Sequence, residues 1–291
     1  MRGLHLPSDS TVSWLDTTGR SELIASADYL EMPRLSKDGR TIVYVGGADD
    51  HDVWSLDLAT GRRLRHTTAK GEDYAPTISS DGRHIGFIAW RESCEFRRVP
   101  IGGGPEETLM RISVNINRLS FSADGRWIAI AGNPKQSTDI GFIDAKSGAF
   151  DVRWLLEEDY AEEAPLFAPV GNRLAYVADQ SGRREVWVRA GVDEADTVVA
   201  SRAGGSDPFW SPDGRTLYYT TGETLMATSI TTAGALEVSQ PRAVMETRGR
   251  SIVGVAADGR FLAHGRDLAK VRRLEVVLNW DEELEAQLRA K

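Results

Sequence analysis

The sequence predicts an all-β protein, a six-bladed β-propeller of four-stranded antiparallel blades with a short C-terminal helix. Three observations predict it. A turn motif of the form apolar-Ser-x-Asp-Gly-Arg occurs six times, its copies are evenly spaced, and each copy is followed by a run of apolar, β-branched or aromatic residues. The copies occupy 36–40, 79–83, 122–126, 168–172, 211–215 and 256–260, and their glycines (Gly39, Gly82, Gly125, Gly171, Gly214 and Gly259) stand 43 to 46 residues apart. A period of that length with four strands per unit is the signature of a propeller blade.

The motif is a tight hairpin in chemical terms. Ser or Asp side chains accept backbone N–H bonds inside the turn, and Gly takes the positive φ that other residues avoid. Pro169 and Pro212 sit where φ near −65° is wanted. The following runs, such as Thr41-Ile42-Val43-Tyr44-Val45, His84-Ile85-Gly86-Phe87-Ile88, Trp127-Ile128-Ala129-Ile130 and Thr216-Leu217-Tyr218-Tyr219, are apolar on both parities. They read as strands buried on both faces. A third strand comes next, in Val53 to Asp57, Ile140 to Asp144, Glu185 to Val188, Leu225 to Ser229 and Leu274 to Leu278. A second turn signal closes it at Gly61 and Gly148, and a weaker fourth strand follows in Arg62 to His66, Asp151 to Leu155 and Asp196 to Ala200.

Sheets that are apolar on both faces need neighbours on both sides, and a closed circle gives every blade two. The N-terminal segment supports closure. Thr11 to Asp16 with Gly19 reads as a third strand and turn, and Glu22 to Ala25 as a fourth strand, with no first and second strands before them. They are expected to complete the blade begun by residues 252–278. That makes seven third-type strands against six inner hairpins, so one terminal candidate is an outer strand or an upstream part belongs to the same gene. The segment 280–290 reads as a helix, capped by Asn279, with acids in its first turn and bases in its last. The expectation for 1–291 is a single propeller domain.

Composition sets the outer limits. The 291 residues are 41% hydrophobic and carry 35 Lys and Arg against 43 Asp and Glu, a formal net charge of −8. That balance suits a globular fold and argues against a partner held by phosphate neutralisation, so no nucleic acid is expected. Cys94 is the single cysteine, and His5, His51, His66, His84 and His264 show no ligand spacing, so neither a disulfide nor a metal is expected. No cofactor is expected and no residue is nominated as catalytic. No apolar run has the length of a membrane span, and the opening residues lack a signal-peptide core. The expectation is a monomer, cytoplasmic as written, or extracytoplasmic were the chain part of a longer membrane-anchored protein.

The turn Phe209-Trp210-Ser211-Pro212-Asp213-Gly214-Arg215 and its five relatives resemble the repeats of the TolB-like six-bladed propeller family. The resemblance runs from about Val12 onward. Segments 181–189, 217–227 and 276–284 resemble more narrowly the propellers fused to bacterial serine/threonine kinases. This sequence departs from that subgroup at Asp281, where an aromatic is usual, and the fourth repeat has Val170-Gly171-Asn172 in place of Asp-Gly-Arg. It contains neither a kinase domain nor the α/β domain of TolB, so no kinase chemistry carries over. What the resemblance implies is a non-enzymatic protein-interaction or sensing module.

In this fold the loops that lead from the outer strand of one blade into the inner strand of the next surround the channel mouth. That places Glu31, Asp73, Tyr74, Asn117, Glu163 and Asp207 on one rim where acids outnumber bases. Ringed carboxylates focus a negative potential, so the rim is the candidate docking face for a protein or peptide partner, a basic one included, or for a cation. The bland alternative is a set of solvated loops whose acids keep the chain soluble. Gly102-Gly103-Gly104 is followed by Pro105-Glu106 and reads as a hairpin turn, not a phosphate loop. The acid run Glu157-Glu158-Asp159 reads as a solvated face, and the tryptophans, among them Trp54, Trp90, Trp127, Trp187 and Trp210, as packing between blades. Two competitors stand beside the interaction module: a propeller enzyme, a glycan lyase or hydrolase using Asn117, Arg118 and His264 in the channel, and a scaffold that binds through blade edges or the C-terminal helix.

Overall fold

The computed structural model describes residues 10–27, 29–47, 51–135, 137–147, 151–154, 160–194, 196–232 and 235–266. The chain opens with β1 (Ser10–Leu15) and β2 (Ser21–Ala27) and then lays down its blades in order. The first blade is β3 (Glu31–Leu35), β4 (Thr41–Gly46), β5 (Asp52–Asp57) and β6 (Arg63–Arg65). The second is β7 (Glu72–Ile78), β8 (His84–Trp90), β9 (Cys94–Pro100) and β10 (Glu107–Ile112). The third is β11 (Ile116–Phe121), β12 (Trp127–Gly132), β13 (Asp139–Asp144) and β14 (Val152–Trp154). The fourth is β15 (Glu162–Phe167), β16 (Leu174–Ala178), β17 (Glu185–Arg189) and β18 (Thr197–Val199).

The fifth blade has β19 (Ser206–Trp210), β20 (Thr216–Thr221) and a long β21 (Thr224–Thr231). Its outer edge is shared, because β22 (Glu237–Val238) pairs the end of β21 and β23 (Arg242–Glu246) pairs its beginning. The sixth blade starts with β24 (Ser251–Val255) and β25 (Phe261–Arg266), and β1 and β2 complete it, in the order β2-β1-β25-β24. The register runs antiparallel from Ser10 opposite Arg266 to Leu15 opposite Phe261, so the N-terminal candidate is the third strand of the closing blade. The other candidate, Leu274 to Leu278, and the helix at 280–290 lie outside the described residues, as do the acid run 157–159 and His5.

The hairpins form as their sequence dictates. In the fifth blade the Ser211 hydroxyl donates to Asp213 Oδ1 at 2.6 Å, Arg215 N–H donates to the same oxygen at 3.0 Å, and Thr216 N–H donates to Ser211 Oγ at 2.9 Å. The same arrangement recurs at Ser36/Asp38, Ser79/Asp81 and Ser122/Asp124. The turn glycine takes φ from +67° to +85° in all six copies, the degenerate Gly171 included. These bonds hold the carboxyl groups of Asp38, Asp81, Asp124 and Asp213 below the usual range, the serine hydroxyl contributing most.

The second strands of the first four blades are buried along almost their whole length, as their apolar runs predict, whereas in β20 only Leu217 and Tyr219 are buried and Thr216 and Tyr218 are half-buried, so that run is buried on one face alone. Their two faces feed separate interfaces. Val43 and Val53 meet Ile85, Phe87 and Val99 between blades one and two. Ile88 and Phe96 meet Leu119, Ile128 and Ile143 between two and three. Phe142 meets Phe167 and Tyr176 between three and four, and Ala175 and Val188 meet Trp210, Leu217 and Tyr219 between four and five. Phe209 and Leu225 meet Ile252 and Phe261, and Val12, Trp14 and Leu262 meet Leu30, Ile42 and Leu56, closing the circle. Each interface thus has its own apolar cluster, and full burial of one such side chain contributes about 1.5–3 kcal/mol. Trp210 is a packing residue here, its indole N–H donating to the Leu166 carbonyl of the neighbouring blade at 3.1 Å.

Candidate functional site

The six inner strands enter the ring from one face, beginning at Glu31, Glu72, Ile116, Glu162, Ser206 and Ser251. Each loses register with its neighbour soon after it starts, so every blade carries one bulge at the channel mouth. In four blades the bulged residue precedes a proline and takes φ near +50°, at Met32, Ala75, Ala164 and Asp207. Proline has no N–H to give the ladder, and a bulge on an edge strand is where its absence does least harm. A non-glycine residue at positive φ is strained by order 1 kcal/mol or more, so the fold holds these four in place.

The loops that deliver the inner strands are anchored by buried acids at the starts of third strands. Asp52 pairs with Arg65 at 2.6 Å, and Thr67 accepts the Val53 N–H at 2.9 Å. Glu185 receives the Ser201 hydroxyl, the Arg183 guanidinium and the Gly204 N–H, while Ser201 Oγ accepts the Val186 N–H at 2.8 Å. An acid and a hydroxyl thereby fasten the segment that crosses to the next blade.

Along the axis runs a cavity of about 1030 Å³ whose lining includes Arg34, Thr77, Arg118, Leu166, Asp207 and His264. The rim residues expected from the sequence divide around it. Glu31 and Asn117 are exposed at the starts of β3 and β11. Asp73 is fully buried and bonded to Arg91 at 2.7 Å. Burial pushes its carboxyl up to about 6, opposed by hydrogen bonds from Thr67 and Arg91. Tyr74 is half-buried and stacks on Trp90 with centroids 6.5 Å apart. Glu163 pairs with Arg184 at 2.6 Å. Asp207 is exposed, takes the Ser206 hydroxyl at 3.0 Å and lies within electrostatic reach of Arg34 and Arg118.

Two groupings result. On the side of blades one and two, Glu31 and Tyr74 are joined by Tyr29, His51 and Glu72. The Tyr29 ring stacks on His51 with centroids 5.0 Å apart and an interplanar angle of 10°. Burial, a hydrogen bond with Glu31 and the charges of Glu31 and Glu72 push the Tyr29 hydroxyl up, and burial with the Cys94 and Glu72 charges does the same for Tyr74. Deeper in the channel, Arg34, Arg118 and Asp207 line the same cavity, within electrostatic reach of one another. Burial and Arg118 push the Arg34 guanidinium down to about 10, with Asp207 opposing; burial lowers Arg118, with Asp207 and Glu163 opposing.

Sequence reasoning placed Arg118 and His264 near the channel but missed Arg34, Tyr29, His51 and Glu72. Arg34 was open to discovery, as a basic residue inside the strand run Met32 to Leu35. The neutralising partners Arg91 and Arg184 carry no comparable signal, since each comes from a different strand or turn than the acid it meets.

No family model matches the chain. In sequence, the chain is 32% identical over 84 residues to the Tol-Pal system protein TolB of Francisella tularensis, covering 28% of this chain and 19% of that protein. It is 29% identical over 119 residues to an uncharacterized protein of Agrobacterium fabrum, covering 40% of this chain and 36% of that one. The matches thus span little more than a third, at most, of these curated relatives. Among solved structures, a putative TolB from Agrobacterium tumefaciens superposes with a TM-score of 0.67 at 17% identity, covering 89% of this chain and 98% of that one. TolB from Acinetobacter baumannii gives 0.60 at 18% identity, covering 82% and 67%. An oligogalacturonate lyase from Vibrio parahaemolyticus gives 0.56 at 15%, covering 87% and 78%. Identities this low speak for the fold alone. Six blades, the ring closure and the repeated Asp-Gly-Arg hairpins make this chain a six-bladed β-propeller with the fold of the TolB propellers.

Proposed function

We propose that the chain is a non-catalytic interaction module that presents its loop face and channel to a protein or peptide partner. The TolB-like propeller fold supports a binding module, and among the described residues no helix is long and apolar enough to cross a membrane. The observation that carries the finer reading is the rim cluster of Tyr29, Glu31, His51, Glu72, Tyr74 and Trp90, in which two stacked aromatic pairs lie beside two carboxylates. Aromatic faces with adjacent carboxylates suit the ammonium or guanidinium of a basic peptide, through cation–π attraction and salt-bridge pairing. Asp73 acts from beneath as a support for Tyr74, and Asn117, Glu163 and Asp207 extend the rim on the far side.

The test is binding of an oligolysine peptide to the whole chain by calorimetry. The expected result is a salt-dependent affinity that falls about fivefold in the double variant Glu31→Gln, Glu72→Gln, the size expected when exposed ion pairs of up to about 1 kcal/mol are lost. Unchanged affinity in that variant removes the rim assignment. A second reading, a glycan-cleaving channel enzyme, is favoured by one observation: Arg118 and His264 share the cavity, and a fold neighbour is an oligogalacturonate lyase. Oligosaccharide turnover that disappears in His264→Ala would establish that reading instead.

A further inference from the structure

We propose that the throat of the channel is an oxyanion site, in which Arg34 and Arg118 together receive one carboxylate or phosphate group. Arg34 comes from β3 of the first blade, Arg118 from β11 of the third and Asp207 from β19 of the fifth, so three inner strands each set one charged side chain into the same cavity. The inner strands β7, β15 and β24 contribute Thr77, Ala164, Leu166, Ser251 and Val253, all without charge; His264 of β25 also lines the cavity, and the acids Asp38 and Asp81 that line it are bonded within their hairpins. Arg118 stands at the third-blade bulge, where the break in pairing re-aims a side chain away from the sheet.

Among the described residues neither arginine has an ion pair. Arg34 donates one hydrogen bond, to the Pro33 carbonyl at 3.3 Å, and Arg118 is engaged with no acceptor. The acids that face them are already occupied or outnumbered. Glu163 is held by Arg184, and Asp207 is a single carboxylate, bonded to Ser206, between two guanidinium groups. Two like charges facing the same cavity repel each other, and burial makes both lose affinity for their proton. An oxyanion between them removes that repulsion and takes up the planar donor pairs that guanidinium offers, which favours a group with two or three oxygens over chloride. The proposal does not rest on the rim reading, since it concerns different residues and the opposite charge.

The measurement follows the Nε–Hε NMR signals of Arg34 and Arg118 in the whole chain during titration with inorganic phosphate, and separately with an acidic peptide bearing a free C-terminal carboxylate. Ionic strength is held constant with chloride. Both signals are expected to move together and to saturate. The dissociation constant should rise about tenfold in Arg118→Gln and in Arg34→Gln and only partly in Arg118→Lys, which keeps the charge and loses the planar fork. Saturation by phosphate alone identifies a free phosphate group as the ligand chemistry. Saturation by the peptide, with loss on amidating its C-terminus, identifies a carboxylate. No saturating movement with either anion overturns the proposal, as does wild-type affinity in both glutamine variants. Each glutamine variant removes one of two repelling charges, so its melting temperature should equal or exceed that of the parent, and a fall would assign the arginines to the fold instead.

Discussion

The two faces of the ring are built from the same strands and differ in how their charges are used. On the hairpin face, each aspartate is consumed locally: Asp38, Asp81, Asp124 and Asp213 all bond the serine two residues before them and the N–H two residues after. On the channel face, charged residues recur only in part, Glu31, Glu72 and Glu162 opening three of the six inner strands, and their partners are distant in sequence, as in Asp73 with Arg91 or Arg34 beside Arg118. Repetition marks what the fold needs six times over, and departure from it marks what this particular ring does. The bulges make the point again: their position recurs in every blade and a proline follows in four of them, while only the third blade follows its bulge directly with a charged side chain, Arg118.

The contrast can be broken most severely at the closing blade, which belongs to neither face. Removing residues 1–15 deletes β1, leaves β25 with an open edge and uncovers Leu262 and Ile42. The cooperative thermal transition should be lost, or fall by well over ten degrees in calorimetry, since several buried side chains each contribute about 1.5–3 kcal/mol. A transition like the parent's would mean that the ring does not depend on this strand. Phe87→Ala, at a fully buried position between blades one and two, should destabilise by about 3–5 kcal/mol in urea unfolding.

Comparing the two faces directly calls for matched substitutions. Asp213→Ala removes two hydrogen bonds from a hairpin and should cost about 1 kcal/mol in the same assay. Glu31→Ala, the matched change on the exposed channel rim, should leave the midpoint unchanged within error. Equal effects would dissolve the distinction between the hairpin acids and the rim acids.

Asp73 and the hairpin aspartates should respond to pH in opposite senses. The hairpin aspartates have lowered folded-state values, so their contribution is complete above about pH 4, the unfolded value, and is lost as pH falls below it. Asp73 is raised to about 6, so its contribution is complete below about pH 4 and is lost as pH rises through 6. A carboxyl-carbon NMR titration should show Asp73 with a midpoint near 6 and the hairpin group titrating below free aspartate. A midpoint for Asp73 near 4 would mean that Arg91 offsets its burial in full.

Much of the architecture was readable before any coordinates. The six hairpins, the buried second strands of the first four blades and the third strands of four blades were legible because each rests on local chemistry: a glycine at positive φ, a serine bonded to an aspartate, an apolar run of fixed length. The outer edge of the fifth blade was not, since β22 and β23 share one partner strand and neither has a strong apolar pattern. Of the site, the sequence located the rim by counting loops but could not say which acids are neutralised. Asp73 and Glu163 look alike as letters, yet one is buried against Arg91 and the other held by Arg184.

By itself, then, the sequence determined the number of blades and the order of strands within them, because turn chemistry and hydrophobic period act over a few residues. Only the tertiary structure decided which of the two terminal candidates closes the ring and which charges meet in the channel. Those outcomes depend on strands brought side by side from residues as far apart as Ser10 and Arg266, and on side chains from different blades facing one cavity.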